Sequence, residues 1–405
     1  MTVLRARCCI AGGGPAGMML GFLLARAGVD TVVLEKHADF LRDFRGDTVH
    51  PSTLEVMHEL GLLEEFLQRP HQKLSRIEGQ VGGRPIVLAD FSHLPVRCGF
   101  IAFMPQWDFL DFLARHARKL PQFRLLMRAE ASGLIEEAGS VVGVRGTYAN
   151  GALEVRAALT VAADGRHSVL REQAGLEVEN FGAPMDVLWM RLSRRADDPP
   201  NTLGRINAGR ILVTLDRGDY WQCAYVIPKG VNDALRQGSI ESLRANIVAV
   251  APFFADRVAE LRSWDDVKLL TVQVNRLQRW HRPGFLCIGD AAHAMSPIGG
   301  VGINLAIQDA VAAANILAQP LLRGALAADD LAAVQRRRDF PTRMTQRMQL
   351  FLQRNVIGRV LASGATPGIA WPIRLMQRFP LLRRIPARLI GMGFRPEHVR
   401  TRAAE

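Results

Sequence analysis

Between residues 3 and 35 the chain sets out a strand, a glycine-rich turn, a helix and a second strand. Val3 to Ala11 reads as the first strand and Pro15 to Ala27 as the helix, ended at Gly28. Asp30 to Glu35 reads as the second strand, with Val32, Val33 and Leu34 giving the unbroken apolar run of a parallel strand covered on both faces. The turn is Gly12-Gly13-Gly14-Pro15-Ala16-Gly17, with glycine at its first, third and sixth places. One glycine makes the tight turn, one lets backbone approach a pyrophosphate, and one lets helix and strand pack closely. The helix start then offers unpaired N–H groups and a positive dipole end to that anion. Glu35 closes the second strand, where a carboxylate can accept hydrogen bonds from ribose hydroxyls. The glycine spacing alone is weak, because ligand-free glycine turns are common. With strand, helix and acid in register it predicts a nucleotide-binding βαβ unit and hence an α/β fold.

The rest of the chain falls into further segments. Ser52 to Leu67 reads as helical with a break near Gly61, and Ile77 to Leu88 as two short strands about Gly82-Gly83. Phe100 to Met104 is a strand, Gln106 to Lys119 an amphipathic helix, and Gly133 to Glu137 with Val141 to Thr147 a pair of strands. Leu153 to Ala163 runs apolar into Asp164. From Phe181 to Asn275 the pattern changes to a mostly antiparallel sheet, with strands at Met185–Ser193, Ile211–Leu215 and Tyr220–Ile227 and a helix at Ser239–Val250. Gly302 to Ala318 is a long alanine-rich helix. The last sixty residues look helical, cut by Pro367, Pro372, Pro380, Pro386 and Pro396. The expected domains are therefore a discontinuous nucleotide-binding lobe (1–75, 100–180 and 277–345), a sheet domain (76–99 and 181–276) that takes the substrate, and a helical C-terminal region (346–405).

Composition narrows the setting. A chain of 405 residues exceeds the roughly 250–300 at which one core stops growing, so more than one lobe is expected. The N-terminal apolar run is broken by Gly12, Gly13, Gly14 and Pro15, so it reads as fold rather than leader. Five cysteines, none in a C-x-x-C pair, predict buried reduced thiols, a cytoplasmic setting, no disulfides and no metal site. The net charge of +12 is carried largely by arginine, much of it in the last seventy residues. No nucleic-acid-binding motif accompanies it.

Two more motifs complete the pattern. Val161-Ala162-Ala163-Asp164-Gly165-Arg166-His167-Ser168, followed by Arg171, is a buried strand that ends in Asp-Gly and turns into a helix. Gly289-Asp290-Ala291-Ala292-His293 leads through Pro297, Gly299, Gly300, Val301 and Gly302 to Ile303 and Asn304. Asp290 can bind sugar-like hydroxyls, and the helix start after it favours negative charge. Each of these alone also fits an ordinary glycine turn.

In this order and spacing the three motifs resemble the class A flavoprotein monooxygenases, the family of para-hydroxybenzoate hydroxylase. The similarity covers roughly residues 1–345. It implies a Rossmann-type FAD-binding lobe with an inserted antiparallel substrate sheet. Gly12, Gly14, Pro15, Ala16 and Gly17 would hold the FAD pyrophosphate, and Glu35, with Lys36 beside it, the adenosine ribose. Arg45 would contact the cofactor, and Gln106 would lie close to the flavin side chain. Asp164 and Gly165 match the family's Asp-Gly element, and Asp290 the aspartate on the ribityl and phosphate region. Pro297, Gly299, Gly300, Val301, Gly302, Ile303 and Asn304 would lie beside the isoalloxazine ring. NADH or NADPH would be co-substrate, and dioxygen would add to the reduced flavin as a hydroperoxide that hydroxylates an aromatic or polyketide-like molecule. No catalytic base is identified: the three tyrosines, Tyr148, Tyr220 and Tyr225, include no recognisable phenol-deprotonating pair.

Substrate contacts are expected from His50, which follows Arg45, and from Pro297. Tyr220 and Gln222 join them, sharing one face of a strand with Ala224. His293 reads as structural. The stretch from Trp371 to Arg395 mixes large apolar residues with arginines. Helices packed on the body with arginines facing water are the expected arrangement, and peripheral membrane contact is the alternative. A halogenase, reductase or oxidase of the same fold, a membrane-surface FAD protein and a plain NAD-dependent dehydrogenase are the competing functions. The spacing between the two halves of the nucleotide site argues against the last.

Overall fold

The computed structural model describes residues 1–41, 47–199, 203–366 and 368–404. Its nucleotide-binding lobe is built on a twisted sheet in which Gly151–Ala162, Thr2–Ala11, Thr31–Glu35 and Phe123–Met127 lie side by side and parallel. Phe285–Cys287 joins on the far side, parallel to the end of Gly151–Ala162. The first strand shows why this works. Thr2 to Arg7 alternate between exposed and half-buried, whereas Cys8 to Ala11 are all buried. Only the second half has parallel partners on both sides, Cys8 pairing with both Thr31 and Leu159. Helices Pro15–Arg26 and Gly302–Arg323 pack together over the sheet, and the small residues Ala306, Ala310, Ala313 and Ala314 allow close approach.

Gly302–Arg323 is apolar and long enough to cross a bilayer, but most of it is buried in the lobe as core. The five cysteines are buried and free, and burial pushes the Cys9 thiol up to about 12. No metal-binding cluster occurs among the described residues.

The second sheet has seven strands in the order Lys268–Leu270, Met185–Ser193, Tyr220–Pro228, Arg210–Asp216, Leu203–Asn207, Arg76–Val81 and Arg84–Asp90. All pairs are antiparallel except Leu203–Asn207 with Arg76–Val81. Helix Ile240–Val250 covers one face, where Leu243 and Ile247 meet Leu188, Met190, Leu212, Trp221, Cys223 and Tyr225. The other face carries Val187, Ala224, Ile211 and Val226.

Several short strands depart from the sequence reading, among them Phe123–Met127, Leu203–Asn207 and Lys268–Leu270. Each is short and lacks clear alternation, and each is a strand because a sheet edge is there to receive it. The tail also departs from the expected run of helices. After Trp371–Arg378 and Arg384–Gly391 it becomes an extended strap across the nucleotide-binding lobe. Glu59 accepts from Val399 N–H at 2.7 Å, Asn315 Oδ1 accepts from Arg400 N–H at 2.8 Å, and the Arg26 carbonyl accepts from Ala404 N–H at 2.8 Å. The anchors lie in three different helices, so no local pattern announces them.

Candidate functional site

Four parallel strands end at the same edge of the sheet, and each releases one of the expected motifs there. Thr2–Ala11 leads into Gly12 to Gly17, Thr31–Glu35 ends on Glu35, Gly151–Ala162 runs into Asp164, and Phe285–Cys287 into Gly289-Asp290. The carboxyl edge of an open parallel sheet is where such folds bind ligands.

The three glycines of the first turn do different work. Gly12 has φ +107°, and a Cβ there would lie 2.3 Å from the Ala163 carbonyl oxygen. A Cβ at Gly17 would lie 1.9 Å from the Gly12 carbonyl oxygen. These two are required by the protein's own packing. Gly14 is different: its φ of −73° suits any residue, and a Cβ there meets nothing within 4 Å. It opens a cradle in front of helix Pro15–Arg26, whose first turn has Pro15 at its start and no side-chain cap. The buried Ala16 sits in this first turn. The Glu35 carboxylate crosses to the same turn, accepting from Gly13 N–H and His37 N–H, both at 3.0 Å. Lys36 beside it is exposed. Arg45 lies outside the described residues.

Asp290 is partly exposed beside Arg166, 3.6 Å away. Gly165 has φ +91° with open space around it. At the second helix start, Gly299 and Gly300 both have positive φ and Val301 caps the helix without a side-chain bond. Gly300 is demanded by contact, since a Cβ would lie 2.4 Å from Thr48 Oγ1. Gly302 and Ile303 form the first turn that this opens. The open space at Gly14 and Gly165, two uncapped helix starts and the Glu35 carboxylate fit a dinucleotide with a pyrophosphate and ribose hydroxyls.

The Asn304 side chain faces into the protein. Its Oδ1 accepts from His50 N–H and Thr53 Oγ1, each at 2.8 Å, and its Nδ2 donates to the Thr48 carbonyl at 3.0 Å. It fastens the helix start to residues 48–53. His50 is fully enclosed. Its Nδ1 lies 2.8 Å from the Ile390 carbonyl, so Nδ1 carries the proton, and the buried Nε2 has no hydrogen-bond partner among the described residues. Burial holds His50 down at about 4, with the Ile390 carbonyl partly opposing it. A histidine depressed in the folded state and ordinary (about 6.5) when unfolded takes up its proton only on unfolding. Stability is therefore expected to fall as the pH is lowered from about 6.5 towards 4. Thermal melts across that window check this: the slope should flatten in His50→Gln, and an equal slope in both proteins would refute it.

Tyr220 and Gln222 do come together. With Asp47, Pro105, Trp107, Arg191 and Arg217 they line a cleft between the two lobes. Pro297 is exposed on its loop and, like His50, is not among the cleft's lining residues. Sequence reasoning missed Asp47. It is buried and ion-paired with Arg217, and Arg217 Nε also donates to Gln222 Oε1 at 3.1 Å. Burial raises the Asp47 pKa, with Arg217, Gln222 and the Gln106 N–H pulling it back. Gln106 opens helix Gln106–Ala117, so Asp47 ties that helix start to the second sheet. Nothing in the local sequence distinguishes Asp47 from an ordinary loop aspartate.

The glutamines of helix Ala328–Leu352, and Gln353 directly after it, were also missed. Gln349 accepts from Ser296 N–H at 3.1 Å and donates to the Ser296 and Ile298 carbonyls, each at 3.0 Å. Gln346 donates to the Ala294 carbonyl at 3.2 Å, and Gln353 to Ser296 Oγ at 2.7 Å. Together they grip the backbone that leads into Pro297. His293 is bonded to Asp309 at 2.6 Å within the core, facing its own helix bundle.

The sequence matches the family described as an FAD binding domain over residues 5–348. It is 35% identical to 6-methylpretetramide 4-monooxygenase of Streptomyces rimosus over 94% of this chain and 91% of that protein. It is 28% identical to a dialkyldecalin synthase of Streptomyces rugosporus, over 75% of this chain and 63% of that longer protein. Among solved structures, OxyS anhydrotetracycline hydroxylase from Streptomyces rimosus superposes with a TM-score of 0.74 at 25% identity, covering 96% of this chain and 76% of that one.

Proposed function

Since this chain belongs to the FAD-binding class A flavoprotein monooxygenases, we propose that it hydroxylates an aromatic or polyketide-like small molecule, using NADH or NADPH and dioxygen. The supporting observation is the convergence of Gly12–Gly17, Glu35, Asp164 and Asp290 on one edge of a parallel sheet, facing a second sheet across a cleft.

Bound FAD supplies the redox and oxygen-transfer chemistry. The chain's own residues bind and orient. The start of helix Pro15–Arg26 would face the pyrophosphate charge, and Glu35 would accept from ribose hydroxyls. Asp290 would hold hydroxyls of the cofactor. The helix start at Gly302 would favour negative charge on the cofactor. Asp47 and Arg217 hold the second sheet against the start of helix Gln106–Ala117, which keeps water out of the crevice between lobes. Trp107, Tyr220 and Gln222 line a small cavity of about 10 Å³ where the lobes meet, and are the aromatic faces and amide offered to a substrate on that side.

The test is NADH and NADPH oxidation by the FAD-loaded protein with and without phenols, aromatic acids and polycyclic polyketides, with products weighed. Oxidation stimulated by substrate, with one oxygen atom gained, is the expected result. A product isomeric with its substrate would overturn it and favour the second reading, a non-hydroxylating flavoenzyme, which the likeness to a dialkyldecalin synthase motivates. A reducing cytoplasmic setting belongs to the same proposal, as does peripheral membrane contact by the C-terminal region.

A further inference from the structure

From Phe340 to Arg395 the chain contains ten arginines and not one aspartate, glutamate or lysine. Most of the protein's formal charge of +12 therefore resides in one stretch. The same stretch holds most of the large apolar side chains that the fold leaves in water: Phe340, Phe351, Val356, Trp371, Leu375, Phe379, Leu381 and Ile385.

The geometry separates an inner from an outer face. Helix Trp371–Arg378 is held to the second sheet from within. Gln377 accepts from Val87 N–H at 3.3 Å and donates to the Val87 carbonyl at 2.9 Å. Helix Arg384–Gly391 is anchored by the fully buried Ala387 against Ala89, Phe91, Ile101 and Phe103. The expected packing on the body is thus already provided by other side chains. What remains outside is Trp371, 70% exposed, then Leu375 and Phe379 at four-residue steps, with Leu381 at 67% and Ile385 at 60%. Arg374, Arg378, Arg384 and Arg388 are exposed among them. Four-residue steps put side chains on one helix face. Leaving such groups in water has no return within the monomer, and a contiguous apolar patch of this kind marks an interaction site.

We propose that this face docks on an anionic membrane surface, with Trp371, Leu375, Phe379, Leu381 and Ile385 inserted at the headgroup boundary and the arginines paired with lipid phosphates. Charge chooses the occupant. A second copy of this chain would bring an equally cationic face and be repelled, whereas an anionic bilayer attracts each arginine. The protruding side chains stand on short convex helices, which a fluid interface accepts without a complementary groove. The helix that carries Ile385 outwards also carries Ile390, whose carbonyl accepts from the His50 ring at Nδ1. The docked face therefore lies one helix away from the candidate site. The contact is peripheral, because neither helix exceeds eight residues. It deepens the membrane part of the proposal above and does not depend on the oxidation chemistry.

The experiment is co-sedimentation of the full-length FAD-loaded protein with vesicles of phosphatidylcholine alone or with one third phosphatidylglycerol, at low and at high salt. Binding to the anionic vesicles only, lost at high salt, is expected. Arg374→Gln with Arg378→Gln should weaken it about fivefold for each arginine removed. Trp371→Ser with Phe379→Ser should weaken it as strongly at unchanged thermal midpoint, since both side chains are already exposed. A blue shift of tryptophan emission on anionic vesicles, absent in Trp371→Phe, would place that residue at the interface. Absence of binding to anionic vesicles, equal binding to neutral ones, or binding untouched by the variants would each overturn the proposal. The NAD(P)H oxidation assay reads the oxygenase separately, so failure of one leaves the other standing.

Discussion

Gly14→Val is expected to yield a folded protein that no longer retains FAD. The position tolerates the side chain, because its φ of −73° and extended ψ suit valine and no protein atom lies within 4 Å of a Cβ there. The cradle does not tolerate it, because the space that valine fills is the one through which backbone reaches a pyrophosphate at the start of helix Pro15–Arg26. FAD affinity should fall at least about 100-fold, or about 2.8 kcal/mol at 1.4 kcal/mol per decade. The apoprotein's stability should move by no more than about 0.5 kcal/mol, as for a substitution that touches nothing.

Gly12→Ala is the contrasting variant. Its Cβ would meet the Ala163 carbonyl at 2.3 Å in a left-handed conformation, so the sheet itself must shift. Loss of soluble, folded protein is expected there. Measuring bound flavin absorbance and thermal midpoint for both separates cradle from scaffold. If Gly14→Val purifies yellow with a full complement of FAD, the pyrophosphate is not where the fold places it.

Arg338→Met should cost the fold on the order of 3–5 kcal/mol, the range for removing one member of a buried charge pair. Arg338 is almost fully buried, and its Nε donates to Asp309 Oδ1 at 2.9 Å. Asp309 also accepts from His293 at 2.6 Å and from Gly289 N–H at 3.1 Å. On its other side Arg338 meets Glu397, which Arg337 holds at 2.6 and 3.1 Å. One guanidinium thus links the Gly289-Asp290 turn, the long apolar helix and the C-terminal strap. Its loss leaves Asp309 and Glu397 short of a cation in the interior. A drop in thermal midpoint of about 5 °C is expected for a chain of this size. A midpoint within a degree or two of wild type would show the network to be dispensable.

The same network sets an acid limit. Burial works against the charge on Asp309, but His293 and Arg338 together outweigh it and hold the carboxyl below its usual range. A carboxylate depressed in the folded state stabilises above its unfolded pKa of about 3.9 and ceases to do so as the pH falls through the folded value. This loss lies below the window in which His50 acts, so the two are separable in a pH series.

Legibility differed between parts of the molecule. The turn at Gly12, the end of the second strand at Glu35 and the Gly289-Asp290 turn were readable because each is a local device: a few adjacent residues whose shape is set by backbone conformation and one covalent connection. The hairpin Arg76–Val81 and Arg84–Asp90 was readable for the same reason, through Gly82 and Gly83 at positive φ. Strand Phe123–Met127 was not, because Leu125, Leu126 and Met127 suit a buried helix as well as an edge strand, and only the open side of Thr31–Glu35 decides between them.

The amino-acid sequence by itself determined the nucleotide-binding unit and the change to an antiparallel sheet after residue 181. These follow from spacing and periodicity over short stretches, where backbone geometry leaves few alternatives. Tertiary structure alone decided the pairing of Asp47 with Arg217, the joining of Asn304 to His50, the glutamine grip on residues 294–298 and the outward apolar face of the C-terminal helices. Each of these joins residues far apart in the chain, and the energy of such a contact depends on burial and on the partner across the interface. Neither quantity is present in the order of residues until the lobes have closed on one another.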